Sequence, residues 1–211
     1  TFSIDLSSSW DINAPTFKLL SSVNSSPEYQ VPSAPISEQA GWVVFSNYRA
    51  FRYNFHFDTW SALNVLANLF PIASLALNGA SDGKTVFVPN GYLTSNGGQN
   101  VTSMMQYGPV LGTTSGISMA GGPVDHVGST VTWSTYLKKF VIIGGHQSNT
   151  LSSIIYTFDP ATSTWSVINP MNNPATPART FHCAAAAASG TRIVVMGGFT
   201  NVVTNPVTSD L

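Results

Sequence analysis

One four-strand pattern is written along this chain more than once, and a recurring sheet of that size leaves few architectures open. The clearest copy runs from Val131 to Ile168. Val131-Thr132-Trp133-Ser134 alternates as a strand does, and Lys138-Lys139 marks a hairpin turn. Phe140-Val141-Ile142-Ile143 reads as a short buried strand ending in Gly144-Gly145, and Gln147–Thr150 as a polar loop. Ile154–Phe158, carrying Tyr156, is a third strand. Asp159-Pro160-Ala161-Thr162 is a turn in which proline supplies the fixed φ. Trp165-Ser166-Val167-Ile168 is the fourth strand. Four short strands in about 40 residues match one propeller blade.

The unit recurs downstream. Arg179-Thr180-Phe181-His182-Cys183 and Ala184–Ala188 read as a first strand, Ser189-Gly190 as its turn, and Arg192–Met196 as the buried strand before Gly197-Gly198 and Phe199. The two glycine pairs lie roughly 53 residues apart, near the 40–50 of a blade repeat. Two weaker copies stand upstream. Gly41–Asn47 has the buried strand without the glycine pair; Ala50–Phe57 alternates, and Asp58-Thr59-Trp60-Ser61 reads as a shortened Asp-turn-Trp. Asp82-Gly83 turns into Lys84–Gly91, with Ser103–Tyr107 as a further strand. At the start, Asp5 and Trp10 of Phe2–Trp10 align with Asp159 and Trp165, so the chain opens on a third strand, turn and fourth strand. Residues 179–211 then supply the inner half of a blade and residues 1–20 its outer half, a pairing that would leave no sheet edge open. The expectation is a single all-β domain over 1–211, a propeller of four-stranded antiparallel blades with units near 179–211 plus 1–20, 41–66, 82–110 and 129–168.

These residues resemble the kelch repeat: Gly144, Gly145, Tyr156, Asp159 and Trp165 match its blade well, and Arg179, His182, Gly197 and Gly198 match in part. In composition the chain is similar to extracellular kelch-domain proteins of fungi. The resemblance implies a β-propeller with a protein-interaction role, and through the Arg-x-x-His pattern it implies that His182 satisfies backbone groups between blades. Kelch propellers commonly have six or seven blades. Four visible units therefore leave three readings open: a slice of a larger propeller, a small ring, or half-blades completed by another copy.

Charge narrows the partners. Of 211 residues only 8% are charged and the formal net charge is −1. Eight Lys and Arg without a basic stripe exclude phosphate-neutralising contacts, so a nucleic-acid partner or an anionic membrane surface is not expected. No apolar stretch is long enough to span a bilayer. The missing initiator Met and signal peptide read as a mature or trimmed chain. The single cysteine rules out an intrachain disulfide. Sequons at Asn24 and Asn100, low charge and abundant Ser, Thr and Asn favour an extracellular or cell-surface glycoprotein.

The raw material for catalysis is thin. His56, His126, His146, His182 and Cys183 show no metal-ligand spacing, so no metal or cofactor is expected. Cys183 reads as a small buried residue in an alanine-rich strand, and His146, just past a glycine pair, as the most exposed histidine. Asp125-His126 has no nucleophile elbow beside it. Asp5, Asp58 and Asp159 read as turn caps rather than as an acid–base pair. Gly97-Gly98 and Gly116…Gly122 lack a following Lys-Ser/Thr and read as loops. Trp10, Trp60, Trp133 and Trp165 read as core, and Trp42 as part of a buried-type strand. The expected function is a non-catalytic binding module for a protein or carbohydrate ligand. Its candidate residues lie on the loops joining second and third strands: Tyr48, Arg49, Tyr92, His146, Gln147, Asn149, Phe199 and Asn201. Two alternatives remain: self-assembly into a homo-oligomer through the half-blades, and a galactose-oxidase-like copper enzyme or glycan-active fragment.

Overall fold

The computed structural model describes residues 2–4, 17–22, 33–36, 41–46, 49–63, 79–88, 92–93, 99–100, 103–109, 112–124, 126–147, 150–168 and 177–200. β1 (Phe2–Ile4) and β2 (Phe17–Leu19) pair antiparallel. β3 (Ser33–Ile36), β4 (Gly41–Ser46), β5 (Arg49–Asn54) and β6 (Thr59–Leu63) form the first four-stranded sheet, in chain order. β7 (Ala80–Ser81), β8 (Val86–Val88), β11 (Ser103–Gly108) and β12 (Thr113–Ser118) form the second; the small hairpin of β9 (Tyr92–Leu93) and β10 (Gln99–Asn100) is inserted between β8 and β11. The third sheet consists of β13 (Thr130–Ser134), β14 (Lys139–Ile143), β17 (Ile155–Asp159) and β18 (Thr164–Ile168), with a matching small hairpin, β15 (His146–Gln147) and β16 (Thr150–Leu151). β19 (Cys183–Ala187) and β20 (Arg192–Met196) pair with each other, joined by a 3-10 turn over Ala188–Gly190. The architecture is an all-β propeller with four-stranded antiparallel blades. First strands of neighbouring sheets approach one another, β3 to β7, β7 to β13 and β13 to β19, which makes them the inner strands.

The sheets reach further than the sequence units. The first begins at Ser33 rather than Gly41; the second runs from Ala80 to Ser118, beyond 82–110 at both ends. Gly116 lies inside β12, paired with Met105, and not in a loop. Ala50–Phe57 is not one strand: β5 stops at Asn54, whose Oδ1 accepts the backbone N–H groups of His56 and Phe57. That contact gives the first sheet its turn cap, the place Asp159 takes in the third sheet by accepting the Ala161 N–H at 2.9 Å. Asp58 instead ends the turn, and its carboxylate accepts the Ser21 N–H at 2.9 Å and the Tyr53 hydroxyl.

Three hairpins share one construction. Asn54 pairs with Thr59, Ser134 with Lys139 and Asp159 with Thr164, each enclosing a four-residue loop. The last loop residue is left-handed in all three: Asp58 at φ 52°, Lys138 at 54° and Ser163 at 56°. The first position supplies a side-chain oxygen that accepts a loop N–H, the Asx or Ser turn that makes such a bend local and stiff.

Burial follows the period of two. On the second sheet, Val86, Val88, Met105 and Tyr107 pack toward Val43, Phe45 and Ala50 of the first. Phe87, Met104 and Ala80 turn the other way, toward Val131, Phe140, Ile142 and Phe158 of the third. This sheet is therefore buried on both faces, as an internal blade must be. Each large side chain so buried contributes about 1.5–3 kcal/mol, whereas the described ion pairs, Lys18–Asp58 and Lys139–Asp159, are long at 3.5 Å and partly exposed. Apolar packing between blades, not charge, therefore holds the assembly. Trp42 is a correction: it is 38% exposed, because the pleat that sends Val43 and Phe45 into the core turns its side chain to the opposite face.

The indoles mark how blades succeed one another. Trp165 Nε1 on β18 donates to the Ser118 carbonyl at the end of β12, the preceding blade, at 2.9 Å. Trp60 Nε1 on β6 donates to the Ser21 carbonyl just after β2, at 2.7 Å. β1 and β2 thus stand to the first sheet as β11 and β12 stand to the third, in the place of an outer half-blade. Among the described strands no ladder joins β20 to β1; the two pairs are separate sheets. Asp5 and Trp10 lie outside the described residues. Among those described, no helix is long and apolar enough to cross a membrane.

Candidate functional site

Each glycine pair ends a second strand, and the residue after it turns back toward the lead-in to its own blade's first strand. His146 bridges Val127 antiparallel, with both backbone hydrogen bonds at 2.9 Å. Phe199 bridges Thr180 in the same way, at 2.9 and 3.0 Å. Thr180 follows Val127 by 53 residues, so the repeat holds to the residue, and it aligns Gly128 with Phe181 and Ser129 with His182. The two lead-ins are stitched together: Gly145 N–H donates to the Arg179 carbonyl and Phe181 N–H to the Gly128 carbonyl, both at 2.8 Å. Gly144 serves this close approach. Its φ is +66°, and a Cβ there would strike the Arg179 carbonyl oxygen and lie 2.8 Å from His182 Cε1.

His182 is 4% exposed, and its Nε2 meets the Thr130 hydroxyl at 2.8 Å, joining the fourth unit to β13. It binds a side chain, not the backbone groups implied by the kelch resemblance. Its Nδ1 has no partner, which suits a bare acceptor better than a proton, so Nε2 carries the hydrogen and donates. Burial, and then the nearby Arg179 guanidinium, push the imidazole pKa down to about 4. Arg179, also buried, donates from Nη1 to the Gly197 carbonyl at 2.9 Å.

His146 is not the free loop residue expected from sequence. It belongs to β15 and is half-buried, and its Nδ1 lies 3.0 Å from Thr180 Oγ1. Burial holds its pKa below the ordinary histidine value. The Thr180 hydroxyl donates to the Val127 carbonyl at 3.1 Å, so it accepts from His146 Nδ1–H. Donation from Nδ1 makes Nε2 the acceptor of the ring. Around it stand Phe181, ring centroid 5.7 Å away, and Phe199, a further 6.2 Å from Phe181. Both phenylalanines are half exposed.

Of the loop candidates, His146 and Phe199 come together here through Phe181, and Gln147 follows His146 as an exposed neighbour in β15. Arg49 opens β5, the third strand of the first sheet, and Tyr92 lies in β9, between the second and third strands of the second sheet. Tyr48, Asn149, Asn201 and Asn24 lie outside the described residues. Asn100 pairs with Tyr92 through the β9–β10 ladder. Phe181 was hidden in the sequence because Arg179–Cys183 reads as the opening of a strand. β19 starts only at Cys183, and the 53-residue register against Gly128 is the signal that singles it out. Cys183 is exposed, against the buried reading: it shares a face with Met196, its cross-strand partner, and that face is open. Among the described residues no group of three His, Cys, Asp or Glu would hold a metal ion.

Residues 137–172 match the family model described as the kelch motif. No curated protein matches the chain. Among solved structures, one titled "Structure of YjhT" superposes with a TM-score of 0.69 at 14% identity, over 93% of this chain and 66% of that one. At that identity the likeness is one of fold, and the present chain spans less than two thirds of its neighbour's length.

Proposed function

We propose that this chain is a non-catalytic binding module, secreted or at the cell surface, that takes its ligand at the end of the propeller carrying the connections between second and third strands. The observation that supports this most is the stitched junction of the third and fourth units. There His146, Phe181 and Phe199 are half exposed, yet anchored by paired backbone hydrogen bonds and the His146–Thr180 contact. Preorganised side chains at loop ends on a rigid scaffold lose little entropy on binding, which is what a recognition surface needs. Capture of partners from secreted protein and polysaccharide fractions tests it with two variant sets. Altering the loop end (His146→Ala with Gln147→Ala and Phe199→Ala) abolishes capture, whereas altering the opposite hairpin tips (Phe57→Ser with Tyr136→Ser) leaves it intact. The reverse result removes the proposal. Metal analysis, with a mass check for a Cys183–tyrosine cross-link, tests the copper-enzyme alternative.

A second reading has its own support. Val194 and Met196, 55% and 54% exposed, share with Cys183 an open apolar face on a sheet that has two strands among the described residues. Self-assembly of copies by half-blade completion would cover it. Light scattering on the separated protein distinguishes monomer from ring or fibre.

A further inference from the structure

We propose that His146, Phe181 and Phe199 form a site for one pyranose ring of a neutral glycan. The inference deepens the reading of the loop end as a ligand-binding face and rests on it. Its first support is Phe181 itself. This residue sits at φ +54°, in the left-handed region that an aromatic side chain rarely adopts. The aligned position in the preceding unit, Gly128 at φ +70°, carries the residue for which that conformation is free of steric cost. The backbone here calls for glycine, and the chain carries a ring instead. Strain retained at one position, when a relaxed solution stands in the neighbouring repeat, points to a use for the side chain. The second support is where that ring stands, between His146 and Phe199 and half exposed. The third is the acceptor: with Nδ1–H committed to Thr180, His146 keeps Nε2 as a lone pair on a ring tilted against that of Phe181.

A pyranose supplies the complement, hydroxyl donors beside a face of C–H groups that packs on an aromatic ring. None of the three side chains carries charge near neutral pH, so a neutral sugar needs no ionic partner here. The probe is an array of immobilised neutral oligosaccharides: glucan, mannan, galactan and chitin fragments. The unaltered protein is expected to bind at least one of these. His146→Ala is expected to weaken that binding about tenfold, the loss of one hydrogen bond to the ligand. Phe181→Gly separates function from structure. Relief of the backbone strain keeps its thermal midpoint level with or above that of the unaltered chain, while glycan binding falls by a similar factor. A purely structural ring gives the opposite order, a lower midpoint with binding unchanged, and overturns the proposal. So does an unaltered protein that binds none of the glycans, or binding that both substitutions leave intact. If glycans fail but the loop-end variant still loses its captured partners, the sugar site is wrong and the binding module stands.

Discussion

Alanine at Gly144 and at Gly197 should have very different consequences, although the two glycines open the same motif. Both have left-handed backbone, φ +66° and +71°, so each substitution incurs the left-handed penalty of about 1–2 kcal/mol. At Gly197 nothing lies within 4 Å of the new Cβ, and the penalty ends there. At Gly144 the methyl group strikes the Arg179 carbonyl oxygen, which is backbone and cannot swing aside as a side chain would. Moving it adds about 1–3 kcal/mol of overpacking. It also strains the Gly145 N–H to Arg179 bond at 2.8 Å, about 1 kcal/mol more. Gly144→Ala is therefore expected to cost about 3–6 kcal/mol in all and Gly197→Ala about 1–2. Urea unfolding followed by tryptophan fluorescence measures both. With a slope of about 3 kcal/mol/M, the midpoints fall by about 1–2 M and about 0.3–0.7 M. Equal shifts would refute the argument that Gly144 exists for the close approach of the next lead-in.

Three further outcomes can be checked. His182 has a folded pKa of about 4 against an ordinary 6.5, so the unfolded chain takes up a proton first as pH falls. Stability is fully present above pH 6.5 and is lost between pH 6.5 and 4, by at most about 3 kcal/mol; urea titrations of the parent chain and His182→Gln across that window should diverge in slope, and parallel curves would contradict it. Trp60→Phe removes the indole bond to Ser21, costs about 1 kcal/mol and speeds amide exchange in Phe17–Leu19 ahead of the third sheet; uniform exchange would deny that this bond seats β2. Cys183, being exposed, should react with one equivalent of a thiol reagent in the native protein at the rate seen for the unfolded chain within about tenfold, and full protection would show its face to be covered.

How far the sequence could be read depended on side-chain contrast. The third blade was plain because Val131 and Trp133 alternate with polar residues, Phe140–Ile143 is an unbroken apolar run, and Phe158 stands between Thr157 and Asp159, each on a strand of five residues. The second blade hid its ends. β7 has two residues, too few to show a period, and β12, Thr-Thr-Ser-Gly-Ile-Ser, puts little apolar surface on either face. β3 contains Pro35, which argues against a strand wherever a ladder needs its N–H. Phe55 and Phe57 extended the apparent alternation of β5 into a turn, because the decisive contact is made by the side chain of Asn54. At the candidate site, His146 and Phe199 were marked by their place after a glycine pair. The burial of His146, its tautomer and the setting of Phe181 arise where two units meet, and no single repeat contains that junction.

The three matched hairpins carry a consequence for diversification. Their bends are specified by the flanks, an oxygen-bearing residue in front and a left-handed residue behind, while the crests read Phe-His-Phe, Thr-Tyr-Leu and Pro-Ala-Thr. A crest that does not determine its own shape is a cassette: its chemistry is free to drift, or be grafted from one blade to another, without re-registering the strands beneath.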